Sequence, residues 1–220
     1  MYRDLVIIGN GQMAEFFCSQ FTQWTSYRVV GFAADRAFIK AETLLGLPVV
    51  PLEEVESHFP PGSAHAFVSI GPVKNNAIRS AKFDEVQARG YCFANLISPH
   101  AVISRDATIG GNVCVGHMSV VSSLCKIDDN VYIGPTCVVG HHGQVHRHAF
   151  LAGHTILAGS VVIGERAFIG VGATVRDNVI VGAGSVIGAG ATILGDVEPN
   201  AVYVSERPKK LPVTADQVDL

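Results

Sequence analysis

The chain has 220 residues, enough for one large domain or two small ones that each bury a core. Hydrophobic residues make up 48% and charged residues only 16%, the reverse of the balance that keeps a chain disordered. The formal net charge is -3 and no basic run occurs, so nucleic acid is not expected as a partner. The first apolar run, 5–8, is too short for a signal-peptide core, and no stretch approaches the roughly 18 apolar residues of a membrane span. A cytoplasmic protein with no membrane partner is therefore expected. The five cysteines are odd in number and lack CxxC spacing, which predicts free thiols in a reducing compartment.

The N-terminal third reads as alternating strand and helix. Leu5-Val6-Ile7-Ile8 predicts a short buried strand. Gly9-Asn10-Gly11-Gln12-Met13-Ala14 follows, and then a helix over about 14–21. This GxGxxA spacing is that of a nucleotide-binding βαβ unit. Glycines let the backbone approach a phosphate, and a helix N-terminus favours its charge. A second strand over 27–32 leads to Asp35, whose carboxylate suits a ribose or base hydroxyl or amine. A third strand over 66–70 ends at Gly71, and a helix follows over 75–89, stopped by Gly90. At roughly 90 residues, the unit is about half of a dinucleotide fold, so a mononucleotide or nucleotide sugar fits it better than NAD.

From Ile97 the sequence keeps a period of six. Ile, Val or Leu recurs at all seventeen positions from Ile97 to Ile193, and residues no larger than Val recur from Ala101 to Val197. Neither helix nor strand periodicity holds such a register. A coil with flat faces and sharp corners does, each face buried by one branched aliphatic. Glycine often follows the aliphatic, as at Gly110, Gly116, Gly134 and Gly140, where freedom in φ at the turns is the expected reason. Five of the nine histidines fall between His141 and His154. Histidine is the side chain suited to proton transfer near neutral pH. His146 and His148 are read as solvated, and His100 and His117 as surface residues.

The whole chain resembles the bacterial hexapeptide-repeat sugar O-acyltransferases and nucleotide-amino-sugar N-acetyltransferases, including the sialic acid O-acetyltransferase, perosamine and bacillosamine-pathway types. The stretches that carry the resemblance are the 9–14 turn, Gly31-Phe32 with Asp35, Ile70-Gly71 and Ser98-Pro99-His100-Ala101-Val102. Val138-Val139-Gly140-His141, Leu157-Ala158-Gly159 and the run 163–173 continue it. The resemblance implies an α/β Rossmann-like domain (1–92), a left-handed parallel β-helix (93–198) with three hexads per turn, and a C-terminal cap or tail (199–220). Seventeen hexads would make between five and six turns.

By this resemblance the protein is an acetyl-CoA-dependent N-acetyltransferase, a homotrimer, acting on a nucleotide-linked amino sugar without a metal. His141 is the implied general base, and the Gly159 amide faces the thioester carbonyl. His142 stands where the family has an acidic residue, Phe150 where many members have a second histidine, and His154 where glycine is usual. Gly9, Asn10, Gly11, Gln12, Asp35 and Gly71 are the candidate nucleotide-sugar contacts. His154, Gly159, Ala173 and Lys209 are the candidate CoA contacts. Three alternatives are an O-acetyltransferase on a sugar hydroxyl, a zinc enzyme like the hexapeptide-repeat carbonic anhydrases, using His141 and His146, and a non-catalytic sugar-nucleotide binder or scaffold.

Overall fold

The computed structural model describes residues 3–206 and Pro212. Strand β1 (Arg3–Ile8) opens an N-terminal unit in which Leu5, Val6, Ile7 and Ile8 are all buried, as a continuous apolar run requires. Helix α1 (Gln12–Trp24), β2 (Tyr27–Ala34), β3 (Thr43–Leu44), β4 (Leu47–Pro51), α2 (Val55–His58), β5 (Ala64–Val68) and α3 (Ala77–Ala88) follow. The sheet order is β3-β4-β2-β1-β5, parallel except for the β3–β4 pair. On one face Phe17 and Phe21 of α1 meet Phe67 edge-on, each at 4.9 Å. On the other, Phe83 and Val86 of α3 cover Val6, Ile8, Ala66 and Val68.

The sequence did not anticipate β3 and β4, which are short and carry two prolines. The predicted helix over 75–89 begins two residues late. Lys74, Asn75 and Asn76 have φ of 49°, 51° and 63°, in the left-handed region that a right-handed helix excludes. This turn aims two amides at the second half of the molecule. Asn75 Nδ2 donates to Gly184 O at 2.6 Å, and Asn76 Nδ2 donates to Arg166 O at 3.1 Å.

That second half is a left-handed parallel β-helix. Two-residue strands recur every six residues from Leu96–Ile97 to Thr192–Ile193, and each up to Thr174–Val175 pairs with the strand eighteen residues on, as Val102 with Val120 and Val120 with Val138. The second residue of each strand is the aliphatic of the six-residue series. Val121, Val139, Leu157 and Val175 are fully buried in the shaft. Ile97, Ile103 and Ile109 are only partly buried because no turn stacks above them. Three faces result. The first begins at Leu96–Ile97, the second at Val102–Ile103 and the third at Thr108–Ile109. The corner after each takes its number.

Two features of the coil differ from the sequence reading. The glycines after the aliphatics are not at positive φ. They are set by close stacking: a Cβ at Gly116 would lie 2.6 Å from Pro135 N, and one at Gly164 would lie 2.4 Å from Ala183 N. The left-handed residue is instead the one before each small residue, at every sixth position from Asn112 to Gly190, and most of these are not glycine. From Asn130 onward each is held there by a bond from its N–H to a carbonyl of the turn above, as His142 N to Ser123 O at 3.0 Å. The register also slips near its end. Val202–Tyr203 pairs with Val186–Ile187, sixteen residues back, and Val197, the last of the small-residue series, sits beside Val181 on the third face.

The N-terminal unit docks on the first face and on the corners that bound it. Phe17 reaches Tyr132, and Tyr132 stacks on Phe150 at 4.2 Å. Trp24 meets His117 of the first corner at 4.2 Å. Asn112 Oδ1 accepts from Val68 N at 2.7 Å on the third corner. Arg79 of α3 is buried there and donates to Asn130 Oδ1 (2.8 Å), His148 O (2.6 Å) and Ala149 O (3.1 Å), while burial brings its pKa down to about 10. Among the described residues no helix is long and apolar enough to cross a membrane.

Candidate functional site

The turn after β1 lines a cavity of about 440 Å³. Gly9, Asn10, Gly11, Gln12, Asp35 and Gly71 all border it, so the six candidate nucleotide-sugar contacts are brought together. Gly9 has φ +126°, and a Cβ there would sit 2.5 Å from Ser69 Oγ, so the turn itself demands glycine. Gly11 is different: no atom lies within 4 Å of a Cβ placed on it, and the space beside it is open. The N–H groups of Gln12 and Met13, the first two of α1, have no protein acceptor among the described residues, and no side chain caps them. An anion in this cavity would meet unpaired donors at the positive end of a helix.

Sequence reasoning missed the cation of the cavity. Lys82 Nζ bonds Asp35 Oδ1 at 2.6 Å and Glu85 Oε2 at 2.7 Å. Burial opposes its charge, but the bonds to Asp35 and Glu85 outweigh that and raise its pKa. One Asp35 oxygen is thus already engaged by protein. The only local signal was Lys82 three residues before Glu85 on a helix. The exposed Phe38 also lines the cavity, held by a bond from Asn10 Nδ2 to its carbonyl at 2.8 Å.

His141 and His142 form the second corner, between the strands Val138–Val139 and Gln144–Val145. Both are exposed. Their Nδ1 atoms are 3.1 Å apart and their rings are nearly perpendicular, at 89°. One turn on, Gly159 supports the His141 ring: a Cβ at 159 would be 2.5 Å from its Cε1 and 2.6 Å from its Nε2. Ser160 N donates to His141 O at 2.8 Å, and Asn178 N to Gly159 O at 2.9 Å, so the corner is fixed from both sides. The Gly159 N–H has no protein acceptor among the described residues. A basic nitrogen and a free, backbone-fixed donor therefore adjoin at one exposed corner. That is the equipment of acyl transfer: a proton acceptor and an oxyanion donor.

The other candidates are not brought to this corner. His154 lies on the first corner, so it does not complement His141 within one chain. Phe150 is on the first face, stacked between Tyr132 and Phe168 in the domain seam, and is not part of the His141 surroundings. The Ala173 side chain is fully buried inside the shaft and offers a CoA ligand nothing but backbone. Lys209 lies outside the described residues. His148, read as solvated, is 2% exposed: its Nδ1 accepts from Asn130 Nδ2 at 2.9 Å, it meets Phe83, and burial pulls its pKa down to about 4. His146 pairs with Asp128 at 3.0 Å on the third corner. No group of three or more His, Cys, Asp or Glu that could hold a metal comes together among the described residues.

Residues 160–195 match the model of the bacterial transferase hexapeptide, six repeats. No curated protein matches the sequence. Solved structures do. One is a histidine-to-asparagine mutant of perosamine N-acetyltransferase from Caulobacter crescentus, in complex with CoA and GDP-perosamine. It is 28% identical, with 92% of this chain and 93% of that one covered and a TM-score of 0.83. Another is the acetyltransferase domain of PglB from Neisseria gonorrhoeae in complex with acetyl coenzyme A. It is 26% identical, with 96% and 100% covered and a TM-score of 0.83. WeeI from Acinetobacter baumannii, at 19% identity, 93% and 97% coverage and a TM-score of 0.77, shares the fold alone. In its repeat and its two-part fold the chain is thus similar to acetyltransferases crystallised with CoA or acetyl coenzyme A.

Proposed function

We propose that the chain transfers the acetyl group of acetyl-CoA to the amino group of a nucleotide-linked amino sugar, with His141 as general base. The observation that carries this reading is the seat of the His141 imidazole on Gly159, whose N–H is free. The nucleotide part of the substrate belongs in the cavity of Gly9, Asn10, Gly11 and Lys82, with its phosphates toward the start of α1. The likeness to enzymes crystallised with CoA, acetyl coenzyme A and GDP-perosamine supports both substrates.

The chemistry follows from the corner. An amine reaches the site after its ammonium form has lost a proton to solvent. Its nitrogen attacks the thioester carbonyl carbon, a C–N bond forms, and His141 Nε2 takes the second proton. The electron pair displaced onto the carbonyl oxygen is stabilised by the Gly159 N–H. Collapse of this intermediate breaks the C–S bond, and the His141 imidazolium returns its proton to the departing thiolate.

A homotrimer is part of the proposal. The second corner is the one that the N-terminal unit leaves uncovered, so cavity and base of one chain do not face each other. The second face offers a surface for another copy. Val102, Val120, Val138 and Ile156 form an outward apolar stripe along it, with Val102 64% and Ile156 46% exposed. A neighbour on this face would bring a second wall to His141. Incubation with acetyl-CoA and paired amino and hydroxy forms of UDP-, GDP- and dTDP-sugars tests the activity. Gain of one acetyl group on an amino sugar is expected. Transfer only to hydroxy sugars would replace this reading with the O-acetyltransferase one.

A further inference from the structure

Two imidazoles joined Nδ1 to Nδ1 present a constraint that a carboxylate in the same place would not. At 3.1 Å, one nitrogen must donate and the other must accept. If His141 donates, its proton is on Nδ1 and its Nε2 is a free base. If His142 donates, His141 accepts at Nδ1 and must carry its own proton on Nε2, where it cannot act as base. We propose that His142 is a positioning residue whose bare Nδ1 accepts the Nδ1–H of His141, and that a proton on His142 switches the base off. This rests on the functional reading above.

The backbone favours a fixed pair. His142 has φ +59° and is pinned by its bond to Ser123 O, and His141 is braced against Gly159. In the His142 column, Leu124 and Ser160 are the immediate neighbours, one turn to either side, and neither can titrate. The charged groups on the same corner are Arg105, Asp106, Arg176, Asp177 and Asp196. The Asp106 carboxyl is held below its usual range by the Ser104 hydroxyl first, and by the His142 charge as a smaller effect. A doubly protonated His142 has no lone pair, so it can only donate toward His141. Carboxylates stay ionised across pH 5 to 8, whereas imidazoles change charge there. The active pair therefore needs both imidazoles neutral.

Nitrogen-15 NMR of the histidine rings at pH 8 tests the pairing without any substrate. His141 with Nδ1–H and a bare Nε2, and His142 with the reverse, is the expected result. A proton on His141 Nε2 overturns the proposal. Kinetics test the consequence. The acid limb of kcat/KM in the parent should steepen beyond one proton. His142→Leu, which offers no acceptor, should lose about 10- to 100-fold in kcat at pH 8 with KM little changed. His142→Asn keeps an acceptor, tolerates positive φ and cannot titrate. It should recover most of that loss and show a one-proton limb. Equal losses in the two variants, or an unchanged limb, would overturn the proposal. A parent that transfers acetyl to no sugar defeats the functional reading, and the catalytic consequence with it, while the tautomers still decide the pairing.

Discussion

The imidazole of His141 lies on Gly159, one turn further along the coil, so closely that a methyl group at 159 would stand 2.5 Å from its Cε1. Gly159→Ala must therefore push the ring aside, although its backbone has no positive φ to make alanine strained there. The coil should remain folded, with an unchanged melting temperature. Acetyl transfer should fall by roughly 10- to 100-fold in kcat, the cost of moving a catalytic group by about 1 Å. Steady-state kinetics beside a thermal melt would separate the two effects.

The two glycines of the first turn should behave oppositely. Gly9→Ala meets Ser69 Oγ at 2.5 Å and is strained at φ +126°, so it should destabilise the N-terminal unit by about 1–3 kcal/mol. Gly11→Ala meets nothing within 4 Å. It should leave stability unchanged and weaken nucleotide-sugar binding, because its methyl group fills the approach to the start of α1. Denaturant unfolding and isothermal titration of both variants provide the check.

Arg79 ties α3 to the third corner through Asn130, His148 and Ala149, and little of it is exposed. Arg79→Met keeps the length and removes every donor. Buried carbonyls then lose their partner, at a cost of about 2–4 kcal/mol. The midpoint of denaturant unfolding should fall accordingly. An unchanged midpoint would mean that the seam is held by its apolar contacts alone.

His148 gives the seam a pH dependence. Burial lowers its pKa to about 4, with Arg147 acting in the same direction. The unfolded chain binds a proton near the ordinary histidine value of about 6.5, so between these pH values the unfolded state holds more protons than the folded one. Stability should therefore be flat above about pH 6.5 and fall as pH drops toward 4, by no more than about 3 kcal/mol. His148→Asn suits the left-handed φ of 64° and cannot titrate. Urea unfolding at pH 7, 5.5 and 4.5 should show a smaller decline in this variant.

The parts of this molecule that were legible in the sequence are those written locally and repeatedly. The aliphatic at every sixth residue from Ile97 to Ile193 is enough to fix faces, corners and the position of His141. The Gly9–Ala14 spacing likewise located the cavity, because a tight strand-to-helix turn is a local event. What was not legible depends on contacts far apart in the chain. Lys82 meets Asp35 across 47 residues, and Arg79 meets His148 across 69. No periodicity marks such a pair. His148 and His142 occupy equivalent positions in their hexads, yet one is buried because α3 happens to cover its corner and the other is exposed. Phe150 and His154 lie away from His141 within one chain for the same reason, while His142 stays beside it: near neighbours in sequence can fall on different sides of a triangular coil.

The central claim is that His141 is the base for acetyl transfer to a nucleotide-linked amino sugar. The most direct measurement is single-turnover acetyl transfer by His141→Asn at saturating acetyl-CoA and amino sugar, with binding of both measured separately. The account predicts unimpaired binding and a rate reduced by about 10²- to 10⁴-fold. Transfer by the variant at the parent rate would contradict it.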